Sequence, residues 1–113
     1  MRKCTTPVWA GLILLAAASA SFAVDKRLTA MQKQGRALAD QMCAQCHAVG
    51  TSGSSPHAAA PTFRSLARRV DLDTFARRLR EGLISGHSDM PTFRFKRDDA
   101  RALVDYLHAI QVQ

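Results

Sequence analysis

The chain has 113 residues, 47% of them hydrophobic, and 16 basic side chains against nine acidic ones, for a formal net charge of +7. That length makes one domain rather than several. The charge invites a nucleic-acid reading, but no recognition motif accompanies it, and the N-terminus is built for export, away from nucleic acid.

Arg2 and Lys3 open the chain, and an apolar run of about eleven residues follows from Val8 to Ala18. Ser21-Phe22-Ala23 then puts small residues at −3 and −1 of a cleavage point. This is the three-part layout of a secretory signal peptide over residues 1–23, with the mature domain at 24–113. The run is too short to span a bilayer, which takes roughly twenty residues. The alternative is an uncleaved anchor, and only then would the protein sit at a membrane. Cleavage leaves 90 residues and a net charge of +5, since 14 basic residues and all nine acids remain. Cys4 and Trp9 leave with the peptide. Only Cys43 and Cys46 remain, and the motif below claims both, so the mature chain has no structural disulfide.

The mature part reads as helices. The spacing of Met31, Gly35, Leu38 and Met42 predicts a first helix from about Leu28 to Cys46, with Met31 in its core face. A mid-helix glycine costs about 1 kcal/mol against alanine, and Gly35 marks a close approach of another backbone. Residues 49–60, with Gly50, Gly53, Pro56 and three serines, have loop composition. Phe63 to Arg69 predicts a short helical piece. Asp71 then caps a helix whose stripe is Leu72, Phe75, Leu79 and Leu83, ending at Gly82 or Gly86. A second loop carries His87 to Phe93. Asp98 is the expected cap of a last helix buried through Ala100, Leu103, Val104, Leu107 and Ile110, with Tyr106 at its edge. No stretch reads as a strand. The fold class is all-α, with three main helices and two irregular connections.

Cys43-Ala44-Gln45-Cys46-His47 carries the chemistry. On a helical turn, positions i, i+3 and i+4 share one face, so two sulfurs and one imidazole can meet one flat ligand. The pattern C-x-x-C-H is that of c-type haem attachment: two thioethers to the vinyl groups and one axial nitrogen. A redox dithiol would expect a strand before the motif in a βαβ unit, and the segment here is helical. A zinc site would need about four ligands, and His57, His87 and His108 are scattered.

An iron held by His47 has a second side. Met90 is the strongest candidate for it. It lies in a loop, is followed by Pro91, and stands 43 residues past His47, enough chain to pass around the macrocycle. Met42 adjoins Cys43 and cannot reach the opposite face. His87, three residues before Met90, is the other candidate, giving bis-histidine iron at a lower potential. His57 and His108 read as solvent-facing.

With these residues in view, the chain resembles the small bacterial class I c-type cytochromes. The matching pieces are Gly35 to Ala39, Cys43 to His47, Ala60-Pro61, Gly86 to Pro91, and the Leu103 to Leu107 helix with Tyr106. They span about 75 of the 90 mature residues. Ala39 departs from the pattern, since family members often carry an aromatic there. The resemblance implies a cytochrome c fold wrapped around one covalent haem c, with thioethers at Cys43 and Cys46 and axial ligands His47 and Met90. It implies a crossing of the first and last helices near Gly35 and Tyr106. It also implies that the Pro61 carbonyl accepts a hydrogen bond from His47, which agrees with the rule that a ligating imidazole donates its other N–H.

A haem closed on both sides has no place for a substrate. The expected function is a periplasmic one-electron carrier rather than an enzyme. The alternative is a peroxidase-like enzyme or gas sensor in which Met90 detaches. The expected partners are redox proteins with acidic surfaces, met by a monomer whose Arg64, Arg68, Arg69, Arg77, Arg78, Arg80, Arg94, Lys96 and Arg97 form a basic surface.

Overall fold

The computed structural model describes residues 27–112. The predicted signal peptide, residues 1–23, lies outside them. Three α-helices follow in order: α1 (Ala30–Met42), α2 (Leu72–Glu81) and α3 (Arg97–Ile110), with a short 3₁₀ helix, Phe63–Arg68, before α2. Among the described residues the only extended pairing is an isolated antiparallel bridge between Leu83 and Phe93.

Helix α1 begins at a reciprocal cap. The Thr29 hydroxyl accepts from Gln32 N at 3.2 Å, and the Gln32 side chain accepts from Thr29 N at 3.0 Å. The helix ends at Met42, four residues earlier than its periodicity suggests. The Ala39 carbonyl there takes two donors, Cys43 N at 2.9 Å and Ala44 N at 3.1 Å, and this closes the ladder. The motif therefore occupies a turn beyond the helix. One helical bond survives in it, from His47 N to the Cys43 carbonyl at 2.9 Å, so Cys43 and His47 keep the i, i+4 relation.

Helix α1 buries only Gly35 and Ala39. Met31 is 45% exposed, contrary to its predicted core role. The reason lies in the crossing with α3. A Cβ on Gly35 would stand 1.9 Å from the Ala102 carbonyl oxygen. Backbones this close leave room for glycine and alanine at the contact and push longer side chains to its rim.

Helix α3 is the central element, and both α1 and α2 pack on it. Its predicted stripe is buried throughout, from Ala100 at 0% to Val104 at 8% exposed. Tyr106, expected at the edge of that stripe, is 1% exposed and thus among the most buried residues. The helix starts at Arg97 with Lys96 as its cap residue, not Asp98. Phe95 is buried, and its N–H donates to the Leu79 carbonyl at 2.9 Å. That anchor sets where the helix can begin. Asp98 and Asp99 then fall in the first turn, where they favour the positive end of the helix dipole.

Helix α2 follows its sequence closely. Asp71 Oδ1 accepts from Asp73 N at 2.9 Å, Leu72, Phe75 and Leu79 are buried, and Gly82 ends the helix at a φ of +109°.

Candidate haem site

A cavity of about 600 Å³ opens between these elements. That is within the ~300–1,000 Å³ typical of small-molecule and cofactor sites. Its deep wall is apolar: Phe63, Leu66, Phe75, Leu79, Leu103 and Leu107 line it and are buried. Cys43, Cys46, His47, Pro61 and Met90, far apart in the chain, all line this one space.

The residues fit a haem. The turn at the end of α1 presents both sulfurs and the imidazole to the same cavity. His47 Nδ1 donates to the Pro61 carbonyl at 2.7 Å. That bond fixes the tautomer, so Nε2 carries the free lone pair. Phe63 packs against the imidazole, ring centroids 5.2 Å apart, and holds its plane. Met90 enters from the loop after α2, with its N–H bonded to the His87 carbonyl at 3.3 Å. The donor set of two thiols, one imidazole and one thioether around an apolar slot matches what a covalent haem requires.

The same environment disfavours free-thiol chemistry. Burial pushes the Cys43 thiol up to about 11, so it stays protonated at neutral pH. Reactive cysteines are held low instead, in electropositive, accessible surroundings. A zinc site finds no support either. Among the described residues, no three His, Cys, Asp or Glu side chains gather where a metal ion could be held.

The remaining histidines divide. His87 lines the cavity from an exposed position. His57, expected to face water, is 44% exposed but also lines the cavity, and its Nε2 stands 3.7 Å from Asp89 Oδ2. His108 is at the surface beside Asp73 at 3.4 Å. Met42 lies at the cavity with 39% exposure, next to Cys43, while Met31 does not line it.

Three features escaped the sequence. Tyr106 Oη donates to the Val49 carbonyl at 2.7 Å and ties α3 to the chain just past the motif. Arg64, counted among the docking cations, donates from Nη2 to the Gly53 carbonyl at 2.8 Å, and its Nη1 is buried without a partner. It braces the loop rather than facing a partner. Arg69 and Arg78 turn toward the cavity and form part of its lining. From the sequence both read as part of the basic surface.

The family model described as "Cytochrome C oxidase, cbb3-type, subunit III" matches residues 30–107. The chain is 33% identical over 100 residues to cytochrome c-552 of Bradyrhizobium diazoefficiens, covering 88% of this chain and 90% of that protein. No solved structure matches the chain. The matched segment takes in α1, the motif, α2, the Met90 loop and all but the last three residues of α3. The chain belongs to this family: it is a small, all-α c-type cytochrome that carries haem c bound through Cys43 and Cys46.

Proposed function

We propose that the mature protein, from Val24, is a periplasmic one-electron carrier whose single haem is ligated by His47 and Met90. Bound haem supplies the exchange of one electron between Fe(III) and Fe(II). The chain's own residues hold that centre still. Pro61 fixes the His47 ring through its carbonyl. Met90 sits between the His87 carbonyl bond and Pro91, in a loop whose Asp89 reaches back toward His57. The buried wall of Phe75, Leu79, Leu103 and Leu107 excludes water from the deep side. A centre that changes little between oxidation states transfers electrons with little rearrangement.

The observation that carries the reading is the meeting of His47 and Met90 in one apolar cavity, with the imidazole already oriented by Pro61. Residues 1–23 act as the export leader in this account. The carrier is a monomer, and its +5 mature charge steers encounters with acidic redox proteins. The test is CO binding to the reduced protein at neutral pH. A carrier closed by Met90 resists CO, whereas rapid binding would favour a gas sensor or peroxidase-like enzyme with a labile sulfur.

A further inference from the structure

Gln111 is the first residue past α3, and its side-chain amide is fully engaged. Oε1 accepts from Ala67 N at 2.8 Å, and Nε2 donates to the Phe63 and Leu107 carbonyls, both at 2.8 Å. A carboxamide has two N–H donors and one carbonyl acceptor, so both hydrogens and the oxygen are used. The Leu107 bond alone would satisfy an orphan carbonyl in the last turn of α3. The other two reach 44 and 48 residues back along the chain, to the short helix Phe63–Arg68. The next residue adds a third tie to that helix, from Val112 N to the Arg64 carbonyl at 2.9 Å.

The short helix needs such support. It is a 3₁₀ helix of six residues with no side-chain cap at its start. Hydrogen bonds in 3₁₀ geometry are poor, and runs beyond about four residues are uncommon. Its first residue, Phe63, is also the one that meets His47. The Phe63 ring packs on the imidazole with centroids 5.2 Å apart, and its N–H donates to the carbonyl of Ala48, next to His47, at 2.9 Å. Pro61, whose carbonyl accepts from His47 Nδ1 at 2.7 Å, stands two residues before it. Phe63 is held on one side by the chain that carries His47 and on the other by Gln111. The path from Gln111 to His47 therefore runs through a single buried residue.

We propose that Gln111 is a positioning residue for His47: by gripping the Phe63 carbonyl it sets the plane of the imidazole and the strength of its bond to Pro61. The proposal rests on His47 being an axial ligand of the haem, and it adds to that reading a determinant from beyond the end of α3. Gln111 does not line the cavity, so it acts only through Phe63. The partner of a ligating imidazole's other N–H orients the ring and raises its basicity. A more basic ring favours ferric iron. Releasing Phe63 lets the segment from Pro61 to Phe63 relax away from His47. The bond to Pro61 then weakens, the ring is free to turn, and the reduction potential rises.

The test compares holoproteins matured in a haem-exporting host: wild type, Gln111→Leu, Gln111→Glu and Asp71→Ala. Proton NMR shifts of the haem methyls in the ferric protein report the imidazole plane, and a potentiometric scan gives the midpoint. Urea unfolding measures stability alongside. Gln111→Leu removes all three side-chain bonds without changing charge, displaces the methyl pattern and raises the potential. Gln111→Glu keeps an acceptor for Ala67 N but cannot donate to Phe63, and it displaces the pattern as well. Asp71→Ala removes the cap of α2, lowers stability and leaves pattern and potential as in the wild type. A wild-type methyl pattern in Gln111→Leu overturns the proposal, however far stability falls. An equal displacement in Asp71→Ala overturns it too, because general loosening would then suffice. If Gln111→Leu does not accumulate, a wild-type pattern in Gln111→Glu overturns it equally. A wild-type holoprotein with no imidazole on its iron would instead remove the axial role of His47, and this proposal with it.

Discussion

Tyr106 and Val49 stand 57 residues apart in the chain and are joined by one buried hydrogen bond, the phenol donating to the Val49 carbonyl at 2.7 Å. The bond links the centre of α3 to the backbone two residues past His47. Tyr106→Phe removes the donor and leaves a buried carbonyl unpaired, which costs about 1–3 kcal/mol. Urea unfolding of the two holoproteins measures this loss, with covalent haem retained in both.

The same tyrosine makes stability depend on alkaline pH. Burial raises its ionisation above the ordinary 10.0, and Asp40 adds to that while Arg36 opposes it. Below 10.0 the phenol is protonated in folded and unfolded chains alike, and its contribution is complete. As pH rises past 10.0 the unfolded chain releases its proton first, so stability falls until the folded phenol ionises too. Unfolding midpoints on either side of 10.0 should show the decline, and Tyr106→Phe should flatten it. The chain has one tyrosine, so phenolate absorbance reports the group directly.

Gly35→Ala places a methyl where the Ala102 carbonyl already stands, 1.9 Å from the Cβ position. The obstacle is backbone, which cannot turn aside like a flexible side chain. Overpacking costs typically 1–3 kcal/mol, and this site belongs at or above the upper end of that range. Denaturant unfolding should show a large loss of stability, despite alanine's better helix propensity. A neutral result would mean that α1 and α3 do not cross in contact.

Met90→Ala keeps both cysteines and His47, so the haem stays attached. On the proposed reading it removes the second axial ligand. Exogenous ligands such as imidazole or cyanide then bind readily, and the reduction potential falls, since methionine ligation is what raises it. Titration by absorbance, with a potentiometric scan, measures both effects.

Electron exchange with an acidic redox protein should slow as salt rises. The mature charge of +5 acts over a distance that shrinks to about 8 Å at physiological ionic strength. Stopped-flow rates at several salt concentrations measure the slope. A flat profile would remove electrostatic steering from the account. Arg64→Gln should flatten the slope in proportion to the one charge it removes, since the Gly53 carbonyl that its guanidinium meets is neutral.

What the sequence disclosed and what it hid follow from the range of the forces involved. The haem-attachment motif is contiguous, so its chemistry could be read directly. The stripes of α2 and α3 were legible as periodicity, and Asp71 as a cap, because each depends on neighbours within one turn. Gly35 signalled its close approach through its own cost. Met31 misled, because the crossing at Gly35 and Ala102 narrows the buried face of α1 below what apolar spacing implies. The start of α3 was misplaced by a long-range fact, the anchoring of Phe95 to Leu79. Tyr106 looked marginal because its partner is remote. Arg78 looked solvent-facing because its place on one helix says nothing of a cavity whose other walls come from remote parts of the chain.

The most direct measurement is the mass and absorption spectrum of the exported protein, purified from a host that matures haemoproteins. The account predicts a mature chain beginning at Val24 with one haem covalently added. It also predicts that the oxidised spectrum carries the red band of thioether sulfur on ferric haem. A colourless protein, or a haem released by denaturation alone, would contradict it. A covalent haem whose oxidised spectrum lacks the sulfur band would contradict the role of Met90.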